Sequence, residues 1–277
     1  MRPTPELCSV HTHSTLCDGS GTPEEMAAAA RAAGVRYLGF SGHSHTAIPS
    51  DGDGVLPADL TEYRGTVLAL RARWAGELDV LLGIEQDSCA DGPVPPDFDY
   101  WIGSVHNLRD PEDGAYYAVD WKPEVLAACC VRTFRGSFPA LIAAYYADVA
   151  AMARQRPTIL GHIDLITKLN GGGELFDEDD RRYRAAAREA LHAADPDATL
   201  LEINTGAMAR GYRSVPYPAR FLLEEWRAMG GRIILTADAH SPGAVVFGYR
   251  EAAELARAAG YRESVLLTPG GQLPCPL

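Results

Sequence analysis

Short apolar runs alternate with alanine- and leucine-rich amphipathic stretches along the whole chain. The first run predicts a strand over residues 7–11. A helix is expected to follow from Thr22 through residue 33. Thr22 suits the N-cap, Pro23 the first turn, and Glu25 completes a capping box before Gly34 ends the helix. The next strand falls at 37–41. The same alternation predicts helices over 59–74, 123–130, 138–154, 179–194, 217–229 and 249–259. It places strands over 80–84, 100–105, 158–161, 200–204 and 232–236, with a last short one at 265–267. About seven β-then-α units without a break in composition predict one α/β barrel domain spanning 1–277. Two insertions interrupt it, one at 46–57, rich in Gly, Asp and Pro, and one at 108–120. Loops of that length over a barrel mouth are usually functional.

Composition narrows the options. The chain has 277 residues, 47% of them hydrophobic, which suffices for a sizeable core. No apolar run reaches the ~18 residues of a membrane span, and the opening MRPTPELCSV lacks the apolar core of a secretory leader. A cytoplasmic, membrane-free protein is the expectation. The formal net charge of −12 disfavours stable nucleic-acid binding, which needs a basic surface. The six cysteines form no C-x-x-C pair and read as reduced thiols packed as small hydrophobes. Cys17 stands apart because it lies among candidate metal ligands.

The histidines carry the strongest signal. Of the eight, six fall at or just past the C-terminal end of a predicted strand: His11, His13, His43, His106, His162 and His240. Catalytic groups collect at that end of an α/β barrel. Two acids, Glu85 and Asp238, share the position. Residues i and i+2 of a strand face the same side, so His11 with His13, and Asp238 with His240, can each serve one metal. Imidazole with carboxylate suits zinc, manganese or iron. His192 sits in a helix among alanines and reads as a surface or packing residue.

These residues resemble the motifs of the polymerase and histidinol phosphatase (PHP) superfamily. HTHSTLCDG resembles its first motif, with Asp18 in the ligand position, and SGHS its second, with His43. GIE gives Glu85, GSVHNL gives His106, GHIDLI gives His162, and ADAH gives Asp238 and His240. Gly42 departs from the pattern, since many members carry an acid there. A narrower resemblance, through YYAVDW, GHIDLITKL, LEINTGAMARG and TADAHSP, is to the histidinol-phosphate phosphatases of that superfamily. The resemblance implies a distorted seven-stranded TIM-like barrel and three divalent or trivalent metal ions. It implies His11 and His13 on one ion with Asp238 near it, and Glu85 bridging to a second held by His106 and His162. Asp18, His43 and His240 would hold the third.

The chemistry implied is hydrolysis of a small phosphate monoester by a metal-bridging hydroxide, with no phosphoenzyme. Three divalent ions against Asp18, Glu85 and Asp238 leave about three positive charges, a complement to a phosphate dianion even on an acidic protein. Arg210 and Lys168 are candidate phosphate contacts. Glu202 and Asn204, alternating on one strand face, and His45 are candidates for the rest of the substrate. Asp164 is expected to orient a histidine from behind. The alternatives are a phosphoesterase for nucleotides, sugar phosphates or oligonucleotides, and a non-catalytic metal-binding scaffold. The sequence leaves the oligomeric state open.

Overall fold

The computed structural model describes residues 7–46, 48, 54–55 and 59–277. Within them the strands are β1 (Leu7–Ser9), β2 (Val35–Phe40), β3 (Asp79–Asp87), β4 (Tyr100–Ser104), β5 (Asn107–Arg109), β6 (Tyr116–Ala118), β7 (Ile159–Leu160), β8 (Leu200–Asn204), β9 (Arg232–Thr236), β10 (Glu263–Thr268) and β11 (Gly271–Pro276). The helices are α1 (Pro23–Ala32), α2 (Leu60–Arg73), α3 (Pro123–Phe134), α4 (Phe138–Ala153), α5 (Arg181–His192), α6 (Gly206–Ala209), α7 (Arg220–Ala228) and α8 (Tyr249–Ala258). Thr22 caps α1 and forms the full capping box with Glu25. No single helix among the described residues is long and apolar enough to cross a membrane.

Seven parallel strands lie in the order β1-β2-β3-β4-β7-β8-β9. The sheet curls until its ends meet. One parallel bridge, Thr12 with Ala239, spans the gap between the β1 and β9 ends. This is the distorted seven-stranded barrel expected. Its interior is filled by Cys8, Val10, Tyr37, Leu81, Ile102 and Ile234 among others, and β10 supplies Val265, Leu266 and Leu267 to the same cluster. The β10–β11 hairpin therefore packs onto the barrel interior. The sequence reading has only a short strand there, because the two prolines of GQLPCP hide the second arm.

Two further differences have local causes. Helix α3 runs to Phe134 rather than 130. It stops where Arg135 turns left-handed and the Gly136 N–H donates to the Cys130 carbonyl. The stretch 108–120 is not irregular throughout, since β5 and β6 pair as an antiparallel hairpin. Most of the 46–57 insertion lies outside the described residues.

Tyr100 crosses the barrel interior. Its hydroxyl donates to the Val10 carbonyl at 2.6 Å and lies 3.2 Å from that of Phe40. Two glycines make room for it. A Cβ on Gly39 would lie 2.3 Å from the Tyr100 hydroxyl, and one on Gly83 would lie 2.2 Å from its ring. Gly83→Ala is expected to cost about 3 kcal/mol of stability, the upper range for overpacking a rigid core. The urea unfolding midpoint measures it, and an unchanged midpoint would show that the ring is free to move aside.

Candidate metal centre

The strands end, but their backbone pairing continues into the residues that bear the candidate ligands. At the barrel seam the His13 N–H donates to the Ala239 carbonyl at 2.9 Å, and the Ala239 N–H to the His11 carbonyl at 3.0 Å. His43 and Glu85 form another parallel bridge, with Ser44 N–H donating to the Glu85 carbonyl and Glu85 N–H to that of Gly42. A turn folds Asp18 back onto His13. Gly19 is needed in it, since a Cβ there would fall 2.5 Å from the Ser14 nitrogen. Asp238 takes a left-handed backbone, φ 47°, at the seam. Gly206 leaves room for its carboxylate, 2.6 Å from where a Cβ would lie.

All nine candidate ligands converge. Glu85 is 1% exposed and forms the hub. Its Oε2 lies 3.0 Å from His43 Nδ1, 3.2 Å from His11 Nε2 and 3.4 Å from His13 Nε2. Its Oε1 faces His162 Nε2 at 2.9 Å and His106 Nε2 at 3.4 Å. Asp238 approaches His13 Nε2 at 3.3 Å and His11 Nε2 at 3.5 Å. Asp18 lies 2.9 Å from His240 Nε2 and 3.1 Å from His13 Nδ1. Four sets of donors are close enough to share an ion: His13-Asp18-His43-His240, His11-Glu85-His162, His11-His13-Asp238 and His43-Glu85-His106. Each set shares a residue with two others, so the donors close into a ring. The implied trio of Glu85, His106 and His162 is divided between two of these sets, although both rings face the same Glu85 oxygen, Oε1.

Partners behind the rings fix their tautomers. His11 Nδ1 lies 2.5 Å from Glu202 Oε1, and His106 Nδ1 lies 2.8 Å from Asp87 Oδ2. His240 Nδ1 lies 2.9 Å from the Asp238 carbonyl. Each of these nitrogens therefore carries the proton, and each Nε2 turns a lone pair toward the cluster. The charges reinforce one another. Burial opposes a positive charge on His11, but Glu202, Glu85 and Asp238 outweigh it and push its pKa to about 10. Burial likewise opposes charge on His106, yet Glu85 and Asp87 raise it to about 10. Burial alone would raise Glu85, but His11, His43 and His106 hold it well below the carboxylate range.

Divalent cations fit these donors. The buried atoms His11 Nε2, His13 Nε2 and Glu85 Oε2 have no hydrogen-bond partner. Such atoms are costly to bury unless something satisfies them. A cation at the shared points does so, and nitrogen with carboxylate oxygen is the donor set of zinc, manganese and iron.

The cluster floors a cavity of about 520 Å³. Arg210 and Lys168 both line it. Arg210 lies 3.0 Å from Asp238 and 3.3 Å from His240, and Lys168 pairs with Asp120 at 2.7 Å. The other substrate candidates are elsewhere. Glu202 and Asn204 are fully buried behind the rings. Glu202 is enclosed by donors from His11, His162 N–H, Thr236 and Asn204, and Asn204 is spent on Glu202 and the Gly206 N–H. His45 turns outward to Asp91 at 2.8 Å and does not line the cavity. Among the described residues the Asp164 carboxylate makes no hydrogen bond to a histidine. It accepts from the Ala219 N–H across the loops, and burial raises its pKa to about 6. His192 is a surface residue paired with Glu225. Sequence reasoning missed Asp87, although it stands two residues past Glu85 on the same face of β3. It also missed Asp120, Trp121 and Tyr212, which line the cavity from segments without periodicity.

A model of the PHP domain matches residues 9–206. The chain belongs to the PHP domain family. A PHP relative from Deinococcus radiodurans named "Probable histidinol-phosphatase" is 34% identical over 269 residues, 92% of this chain and 95% of its own. The histidinol-phosphatase of Bacillus subtilis is 24% identical, over 86% of this chain and 95% of its own. The fold is also that of a Lactococcus lactis histidinol phosphate phosphatase solved with zinc, L-histidinol and phosphate. The TM-score is 0.68 at 18% identity, covering 98% of this chain and 100% of that one. Asp238 and His240 lie beyond the stretch matched to the PHP model, and their place in the cluster rests on the barrel seam.

Two outcomes follow for metal binding. With pKa values near 10, His11 and His106 carry protons at pH 7.5 in the cation-free protein, whereas ligation needs neutral imidazole. Loading with Mn²⁺ or Zn²⁺ should release at least about two protons, since His13 and His43 are also raised well above the ordinary imidazole value, and affinity should weaken as pH falls. Calorimetry in buffers of different ionisation enthalpy reads this directly; a binding heat independent of buffer contradicts it. Asp87→Asn should weaken metal affinity by about 10- to 100-fold, measured by competition with a chelator, and an unaltered affinity would remove Asp87 from the centre.

Proposed function

We propose that this PHP-domain protein is a metal-dependent phosphomonoesterase that converts histidinol phosphate and water to histidinol and phosphate, a step of histidine biosynthesis. The observation that carries it is the convergence of nine imidazole and carboxylate donors, seven of which line one cavity together with Arg210 and Lys168. The full-length relation to proteins named histidinol-phosphatase supports the choice of ester. In this reading His11, His13, Asp18, His43, Glu85, His106, His162, Asp238 and His240 hold three ions of zinc, manganese or iron. When bound, such ions neutralise phosphate oxygens and acidify a water molecule for attack on phosphorus.

The chain's own residues prepare that chemistry. Glu202 and Asp87 hold His11 and His106 in one tautomer. Arg210, tethered by Asp238 beside His240, directs N–H groups at the phosphate oxygens, where a planar fork is effective. The charge argument also tightens. Glu202 and Asp87 join Asp18, Glu85 and Asp238 among the carboxylates on the rings. Arg210 offsets one of them, and Lys168 and Asp120 cancel. With three divalent ions, about two positive charges remain, matching a phosphate monoester dianion.

A phosphate-release screen tests this. Histidinol phosphate should exceed nucleotides and sugar phosphates in kcat/KM by at least ~100-fold, a ratio attainable when polar and ring contacts both discriminate. Equal or better turnover of the others would defeat the assignment to histidinol phosphate. His106→Ala should abolish turnover while the circular dichroism spectrum is retained; near-normal turnover would sink the metal-centre reading itself.

A further inference from the structure

Two exposed aromatic rings stand at the mouth of the cavity with no packing role. Trp121 is 62% exposed and Tyr212 49%. Neither belongs to any hydrophobic cluster among the described residues. Both line the same cavity as the ligand residues. The Lys122 ammonium lies 4.3 Å from the centre of the Trp121 ring, and that of Lys168 lies 5.0 Å from the centre of Tyr212. A cation over the ring restrains its tilt. The walls are connected. Asp120, next to Trp121, pairs with Lys168, which in turn sits over Tyr212. Both are anchored by backbone bonds: Val119 N–H donates to the His106 carbonyl, and Tyr212 N–H to that of Ala207.

We infer that Trp121 and Tyr212 form a ring-recognition subsite for the alcohol portion of the substrate. This rests on the phosphatase reading above and adds what selects the ester. The phosphate is held at the floor by the metal centre and Arg210, so the alcohol projects toward the mouth. There, the Lys168–Asp120 pair is internally neutralised and gives little discrimination by net charge. The exposed faces of two aromatic rings favour a flat, polarisable group such as imidazole. An ester bearing an ammonium but no ring finds the same floor and an empty mouth.

The test compares histidinol phosphate with ethanolamine phosphate, which keeps the phosphate and the ammonium and lacks the ring. In the wild-type holoenzyme kcat/KM should favour histidinol phosphate. Trp121→Ala and Tyr212→Ala should each lower that preference about tenfold, the loss expected for one stacking partner, mainly through KM. Tyr212→Phe, which keeps the ring, should preserve it. Metal content measured in each variant checks that the floor is intact. A preference unchanged in both alanine variants, or lost equally in Tyr212→Phe, overturns the subsite. A wild-type preference near unity overturns it too and leaves the phosphatase reading standing, whereas hydrolysis of neither ester overturns both.

Discussion

The buried carboxylate of Glu85 is the interaction around which the site is organised. A charge that is 1% exposed is tolerated only with close compensation. Five imidazoles from four different segments supply it: His11 and His13 after β1, His43 after β2, His106 after β4 and His162 after β7, with Glu85 itself on β3. Every one of those segments must arrive at the same rim for the carboxylate to be neutralised. Without cations the carboxylates around the cluster favour protons on His11 and His106, and on His13 and His43 as well. In the metal-loaded state proposed above, the same nitrogens serve as ligands. The barrel architecture and the chemistry thus satisfy one constraint, since parallel strands place all their C-terminal ends on one face.

Much of this was legible because the relevant signals are periodic. The seven barrel strands are short apolar runs, and a histidine or acid just past such a run falls on the rim whatever the details of packing. What periodicity cannot supply is which way a side chain turns once it is there. Glu202 and Asn204 alternate on β8 as a substrate-binding pair would. They face the barrel interior, where Glu202 takes up the His11 proton, the His162 N–H and the Thr236 hydroxyl. Asp164 stands two residues past His162 in sequence, but its carboxylate accepts from the Ala219 N–H instead. The second arm of the C-terminal hairpin escaped because its prolines argue against a strand, and an edge position accommodates them.

The seam between β1 and β9 explains why the first and last motifs, more than 220 residues apart, act together. Thr12 and Ala239 form the parallel bridge across the barrel's open side. The residues flanking that bridge are His11 and His13 on one strand end and Asp238 and His240 on the other. The bonds that join the barrel's ends and the side chains that gather at the centre therefore come from the same six residues. Removing the β1 end would break three of the four donor sets together, because His11 or His13 appears in each of those three, and removing the β9 end would break the two that hold Asp238 or His240.

The floor and the mouth are built by different means, and this bears on how a site of this kind can change its substrate. The floor residues follow core strands, and backbone pairing carried past the strand ends sets their positions, so substitution there disturbs both stability and metal binding. Trp121, Lys168 and Tyr212 stand on connecting segments between the strands and longer helices. Loops of that sort tolerate replacement because little of the core depends on them. Exchanging the mouth while keeping the floor would preserve phosphate-ester hydrolysis and alter which alcohol is released. The specificity determinants inferred above are the residues that sequence periodicity is least able to reveal, because no buried face constrains where they recur.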